Sequence, residues 1–112
     1  MLRTYQTSGG YLVSPAQVAH ALRAHPGVLD SVVVPAPRGS GAVIGVLVAA
    51  REAVGVSEIR DVARRTLPAW LQPVIVEVRH DIPALISGKH DRAAVLRLLE
   101  TAHDSAASAA EP

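Results

Sequence analysis

The stretch "ALISGKHDR", residues 84 to 92, holds the only lysine of a chain whose other positive side chains, histidine aside, are ten arginines. A lysine in a glycine loop is a compact charge on a long, flexible stem, and Lys89 stands two residues ahead of Asp91, a residue type that caps helices. The amides of a helix N-terminus also favour an anion, although the Asp91 carboxylate opposes one locally. The chemical match is an anionic ligand such as a carboxylate or a phosphate. The phosphate-cradling P-loop also contains Gly-Lys, but it needs a glycine five residues earlier and Ser or Thr after the lysine. Here those positions are Pro83 and His90, so that motif is excluded.

Other chemistry finds less support. Among the five histidines, His20 and His25 lie five apart and so on different helix faces, without the i, i+4 spacing of a helical zinc pair. His80, Asp81, His90 and Asp91 could converge only through folding, and no metal site is expected. Ser8 and Ser87 lack a nucleophile-elbow sequence. No cysteine is present, which removes disulfides and thiolate chemistry. With a formal charge of +1 and 3% aromatic residues, the chain offers neither the clustered cations nor the stacking platforms of a nucleic-acid binder. Arg60, Arg64 and Arg65 read as the solvated face of a helix. No apolar run approaches the ~20 residues that span a bilayer, and a soluble, cytoplasmic protein is expected.

These residues have to be positioned by a single core, since 112 residues suffice for one domain. That core must be aliphatic, which suits a small sheet covered by helices. Residues 1 to 10 read as an extended piece ending in the pair Gly9 and Gly10. "SPAQ" opens a helix, with Ser14 as cap, Pro15 at the first helical position and Gln17 placed to close a capping box; "HPG" at 25 to 27 ends it. Two β-branched runs around "RGSG" predict an antiparallel hairpin over 28 to 50, apolar almost throughout and so covered on both faces. Gly45 in its second strand suggests a bulge or a close approach. Ser57 is expected to cap a second helix built on Ile59, Val62, Ala63 and Leu67. Trp70 should pack between that helix and a third strand at 74 to 78. A last helix is expected from about Arg92 to Ala102, capped by Asp91. The fold is therefore α+β: a three-stranded, mainly antiparallel sheet flanked by three helices, preceded by a short extended or hairpin segment. The domain spans 1–102, and the small polar tail at 103–112 is expected to be disordered.

The longer context of the lysine resembles a family. In "LPAWLQPVIVEVRHDIPALISGKHDRAAV", residues 67 to 95, Pro68, Trp70, Pro73, Ile82, Pro83, Ser87, Gly88, Lys89 and Arg92 fall in order on the pattern of the C-terminal subdomain of the adenylate-forming superfamily. That superfamily includes acyl-CoA synthetases, luciferases and the adenylation domains of nonribosomal peptide synthetases. "SGGYLVSPAQVAHALRAHPGVLDSVVV" is similar to the same subdomain's glycine-pair loop, helix start and lead into the first sheet strand. The likeness covers roughly residues 4 to 99.

The resemblance implies that Lys89 reaches into an adenylation site on a large N-terminal domain, where it stabilises the acid and the α-phosphate as the acyl-adenylate forms. It implies that, after a rotation about a hinge at Arg3 or Thr4, Ser8, Gly9, Gly10, Tyr11 and Leu12 line the path of a pantetheine thiol, and Gly88 is expected with them among the cofactor-binding residues. ATP, magnesium and coenzyme A or phosphopantetheine would belong to the assembled enzyme, none being held by this chain alone. The chain departs from the family at the hinge, at Pro15 to Ala19, which lacks the usual acids, and at His90, where a small or apolar residue is common. It also lacks the nucleotide-binding motifs, so the expectation is a subdomain acting in trans with a separate N-terminal domain, and with an acyl carrier protein as a further partner. The alternative is a non-catalytic interaction module for a ligase or carrier protein. The face that would meet another domain could also pair with a second copy.

Overall fold

The computed structural model describes residues 5–6, 10, 12–39, 41–51 and 53–110. Strands β1 (Tyr5–Gln6) and β2 (Leu12–Val13) pair antiparallel as a short hairpin. Helix α1 (Pro15–Leu22) follows, with the Ser14 side chain accepting from the Gln17 amide at 3.4 Å, as its sequence predicts. Strands β3 (Val28–Arg38) and β4 (Gly41–Ala50) form the long antiparallel hairpin, with a register shift between Val28 and Asp30. Helix α2 (Val56–Thr66), a 3-10 turn at Ala69–Leu71, strand β5 (Ile75–Arg79) and helix α3 (Arg92–Ala110) complete the chain.

The sheet order is β3-β4-β5, and β5 runs parallel to β4. The sheet is thus mixed. An antiparallel pair can be closed by a tight turn, whereas a parallel pair needs a crossover, and α2 supplies it between β4 and β5. Alternate residues of the strands enter two separate cores. On one face Val33, Val46, Val48 and Val76 meet Val18 and Leu22 of α1 and Ile59, Val62 and Ala63 of α2. On the other, Val32, Val34, Leu47 and Ile75 meet Val95 and Leu99 of α3. Double coverage explains why β3 and β4 read as continuous apolar runs: both sets of alternate side chains leave water.

Gly45 marks the close approach that its position suggests. A Cβ there would lie 2.9 Å from Leu99 Cδ1 and 3.4 Å from the Val34 carbonyl oxygen, so the missing side chain lets α3 settle onto the sheet. Across the other face, His25 ties the end of α1 to the start of α2. Its Nδ1 accepts from the Gly27 amide at 2.9 Å, which leaves Nε2 to donate to Glu58 Oε2 at 3.0 Å.

Four local expectations change. Helix α2 is capped by the Gly55 backbone, whose N–H reaches Glu58 Oε1 at 3.4 Å, and Ser57 already lies inside the first turn. Trp70 is 49% exposed, because the 3-10 turn buries Leu71 in its place. Arg60 is no solvated cation, since it donates to the carbonyls of Pro73 and Val74 and holds the entry to β5. Helix α3 continues beyond Ala102 to Ala110. The run from 103 to 110 contains no Gly or Pro and four alanines, the best helix formers.

If α3 docks through the gap at Gly45, Gly45→Ala destabilises the domain by about 1–3 kcal/mol through overpacking. The same substitution costs measurably less in a Leu99→Ala background, because the colliding methyl is gone. Urea unfolding of the four proteins of this double-mutant cycle measures the coupling.

Candidate functional site: the lysine hairpin

Lys89 sits on a three-residue turn that its sequence builds with little freedom. The Leu85 N–H donates to the Lys89 carbonyl at 2.8 Å and the Gly88 N–H to the Leu85 carbonyl at 2.9 Å. Ala84 and His90 form a bridge behind this pair, and the Asp91 N–H donates to the Pro83 carbonyl at 2.8 Å. Such a loop ends in a residue of positive φ, here Gly88 at +89°. Ile86 stands wholly in solvent at the apex, with Leu85 half exposed beside it.

The base of the hairpin is fastened to β3 by the two residues that flank the helix cap. His90 Nε2 lies 2.8 Å from Asp30 Oδ2, and Arg92 Nη1 donates to the Val33 carbonyl at 3.2 Å. Between them Asp91 caps α3 as its sequence predicts, accepting from the Ala94 N–H at 3.1 Å. Lys89 itself is exposed, and among the described residues its ammonium makes no ion pair. The arrangement is an exposed cation on a base held by hydrogen bonds to β3.

Gly88 and Lys89 thus share one turn. Gly10, at a φ of +83° with open space around its Cα, and Leu12, exposed on β2, belong to the separate N-terminal hairpin. Arg3, Thr4, Ser8, Gly9 and Tyr11 lie outside the described residues. The acidic and histidine residues near the lysine do not converge: His90 is taken by Asp30 and Asp91 by α3, while His80 and Asp81 line a separate hollow with Arg51, Glu77 and Arg79. Among the described residues no group of three His, Asp or Glu side chains is placed to hold a metal, and no helix is long and apolar enough to cross a membrane. Sequence reasoning missed Asp30 as a partner of the site. Its only signal was the unusual histidine at 90, since a contact 60 residues distant leaves no trace in local pattern.

Comparison with known proteins agrees with this fold. A comparison with protein-family models finds no match. The chain is 40% identical over 88 residues to a probable non-canonical nonribosomal peptide synthetase, CymA, of Salinispora arenicola, covering 77% of this chain and 1% of that protein. It is 38% identical over 96 residues to an isonitrile lipopeptide synthase of Streptomyces coeruleorubidus, covering 84% of this chain and 6% of that protein. The chain therefore spans only a small part of the length of the curated relatives it matches. Among solved structures, a Mycobacterium tuberculosis fatty acyl CoA synthetase superposes with a TM-score of 0.75 at 22% identity, over 88% of this chain and 20% of that one. An amide bond synthetase of Marinactinospora thermotolerans superposes at 0.73 and 27% identity, over 85% and 20%. The chain belongs to the adenylate-forming superfamily and carries the sequence pattern of its C-terminal subdomain.

Because Gly88 takes a backbone conformation that a side chain disfavours, Gly88→Ala should cost about 1–2 kcal/mol. The loss should be local. Hydrogen exchange should show faster exchange at the Gly88 amide, with the β3–β4 amides unchanged relative to global stability.

Proposed function

We propose that this chain is the C-terminal subdomain of an ATP-dependent, acid-activating ligase, and that it supplies Lys89 in trans to an adenylation site on a separate N-terminal domain. The observation that carries the reading is the exposed Lys89 ammonium, without an ion pair among the described residues, on a hairpin whose base is pinned to β3. The reaction joins a carboxylate to the α-phosphate of ATP, so two anions must be brought together. A cation placed between them offsets their repulsion and the charge that develops on the oxygens in the transition state.

The division of labour follows from what the chain contains. None of the sequence features that cradle a triphosphate is present, so ATP and magnesium would be held by the partner domain. Lys89 would contact the acid and the α-phosphate. One of the superposable structures, MatB of Rhodopseudomonas palustris, is an ATP-bound form, and its 23% identity supports the fold alone. Residues Ser8 to Leu12 would line the approach of a thiol from coenzyme A or from a phosphopantetheine on an acyl carrier protein, the glycines allowing the backbone to come close. Once the adenylate has formed, the thiol sulfur attacks its acyl carbon, the bond to the phosphate oxygen breaks, and AMP leaves.

The test uses the isonitrile lipopeptide synthase of Streptomyces coeruleorubidus with its matched 96 residues deleted. Adding this chain, free or grafted into the gap, is expected to restore ATP–pyrophosphate exchange dependent on that enzyme's own acid. Lys89→Ala should lower the restored rate by about 10²–10³, the usual loss when one preorganised electrostatic contact is removed. Restoration by Lys89→Ala equal to that by the unaltered chain would overturn the proposal and leave a non-catalytic interaction module.

A further inference from the structure

The register shift in the long hairpin falls one residue before Asp30. Val28 pairs with Ala50 and Asp30 with Ala49, so Leu29 is an extra residue in β3. Such a bulge moves the alternation of side chains on by one, and its effect can be read from the packing. Val28 lies against the core of α1 and α2, and in a regular strand residue 30 would follow it onto that face. Instead Asp30 shares the parity of Val32 and Val34, whose side chains meet α3. The shift leaves Leu29 exposed, so it is not made for the core. What it achieves is to turn a carboxylate towards the segment that carries the lysine.

Asp30 is held on both oxygens. Oδ1 accepts from the Ser31 N–H at 2.8 Å, which fixes the carboxylate against its own strand, and Oδ2 lies 2.8 Å from His90 Nε2. A carboxylate only accepts, so Nε2 carries the proton. Among the described residues this is the one hydrogen bond from residues 84–90 to the sheet, since Arg92 takes hold beyond the hairpin. His90 also pairs with Ala84 in a strand-like bridge. Successive side chains of such a segment point to opposite faces, so an imidazole turned towards β3 turns Lys89 away from it. Lys89 is exposed accordingly, while His90 is partly buried. A pair as open to water as this one adds little to stability, which leaves orientation as what it can supply.

We propose that Asp30 and His90 are positioning residues for Lys89: the bulge aims Asp30, Asp30 fixes the His90 ring, and the ring sets the side on which the ammonium leaves the hairpin. The catalytic part of this role rests on the reading of Lys89 as the adenylation lysine. Both side chains act through the lysine, without touching the acid or the phosphate themselves.

In the chain alone, amide relaxation measured by NMR reads the order of the hairpin. His90→Ala and Asp30→Ala are expected to lower the order of the Gly88 and Lys89 amides while the β4 amides keep theirs. Equal order in all three proteins overturns the positioning, whatever reaction the chain serves. In the synthase graft, His90→Ala is expected to lower kcat of ATP–pyrophosphate exchange by about tenfold to 10²-fold, the scale for a reacting group misplaced by up to ~1 Å, with the KM values for acid and ATP unchanged. His90→Gln should recover most of the rate, since its amide nitrogen can donate to Asp30. In a Lys89→Ala background, His90→Ala should lower the rate no further, because both changes remove the same contact. Losses that simply add would mean that His90 acts on its own, and they overturn the proposal. A graft that needs Lys89 yet is indifferent to His90→Ala and Asp30→Ala overturns the positioning and leaves the ligase reading standing. Full activity with Lys89→Ala overturns the ligase reading, and with it the catalytic part of the role.

Discussion

A loop can deliver a charge to a defined place only when its base is held more firmly than its tip, and here the base is held by strand β3. The contact between His90 and Asp30 and the bond from Arg92 to the Val33 carbonyl fasten the two ends of a single short segment, with the helix cap Asp91 between them. Lys89 lies one residue outside this clamp. Its backbone position is therefore inherited from β3, and β3 inherits its own from β4, with which it pairs along nearly its whole length. Strand β4 is central and carries buried residues on both faces, Leu47 against α3 and Val46 and Val48 against α1 and α2. The placement of one ammonium thus depends on a core that closes on both sides of a three-stranded sheet.

The other edge of β3 would otherwise be a liability, since an unpaired strand edge invites pairing with another chain. In an antiparallel strand both backbone groups of a residue point the same way, and those of alternate residues point to the free edge. Val33, whose carbonyl takes Arg92, sets the parity, so Ser31, Val33, Pro35 and Pro37 face outward. Each is dealt with. The Ser31 N–H goes to the Asp30 side chain, the Val33 carbonyl goes to Arg92, and the two prolines have no N–H to offer. Asp30 and Arg92, which pin the lysine hairpin, thus also engage backbone groups of the sheet edge. One device serves both needs.

Much of this was legible in the sequence because it is local. Ser14 and Pro15 announce α1, Asp91 announces α3, and the "RGSG" turn between two β-branched runs announces the hairpin, each by a preference that acts within a few residues. The gap at Gly45 could be suspected, because a glycine inside a strand pattern asks for a reason. What stayed hidden is what depends on distant partners. The parallel placement of β5 follows from α2 carrying the chain back along the sheet before β5 begins, and no residue within "VIVEV" encodes it. Ser57 was a plausible cap, but Glu58 closes back on the Gly55 N–H and the cap falls two residues earlier. Trp70 misled because its size suggests burial, yet the 3-10 turn gives the inward position to Leu71. Asp30 looked like an ordinary polar residue in a strand until the fold set it against His90.

The use of basic residues along the chain separates two physical tasks. A guanidinium is a planar fork that can hold fixed acceptors, and the structure employs it so: Arg60 bridges the Pro73 and Val74 carbonyls ahead of β5, and Arg92 grips the edge of β3. Each of these bonds locks a backbone segment, and each would be poorly reproduced by an ammonium. The opposite holds at position 89. There the side chain stands exposed at the end of a turn whose Leu85 and Pro83 carbonyls already accept from the Gly88 and Asp91 amides. A compact, strongly hydrated ammonium on a flexible stem has less to gain from such contacts and remains available to a ligand that arrives from outside. Two of the ten arginines, Arg60 and Arg92, thus brace the frame through backbone carbonyls, and the one lysine stands exposed beside the second of them.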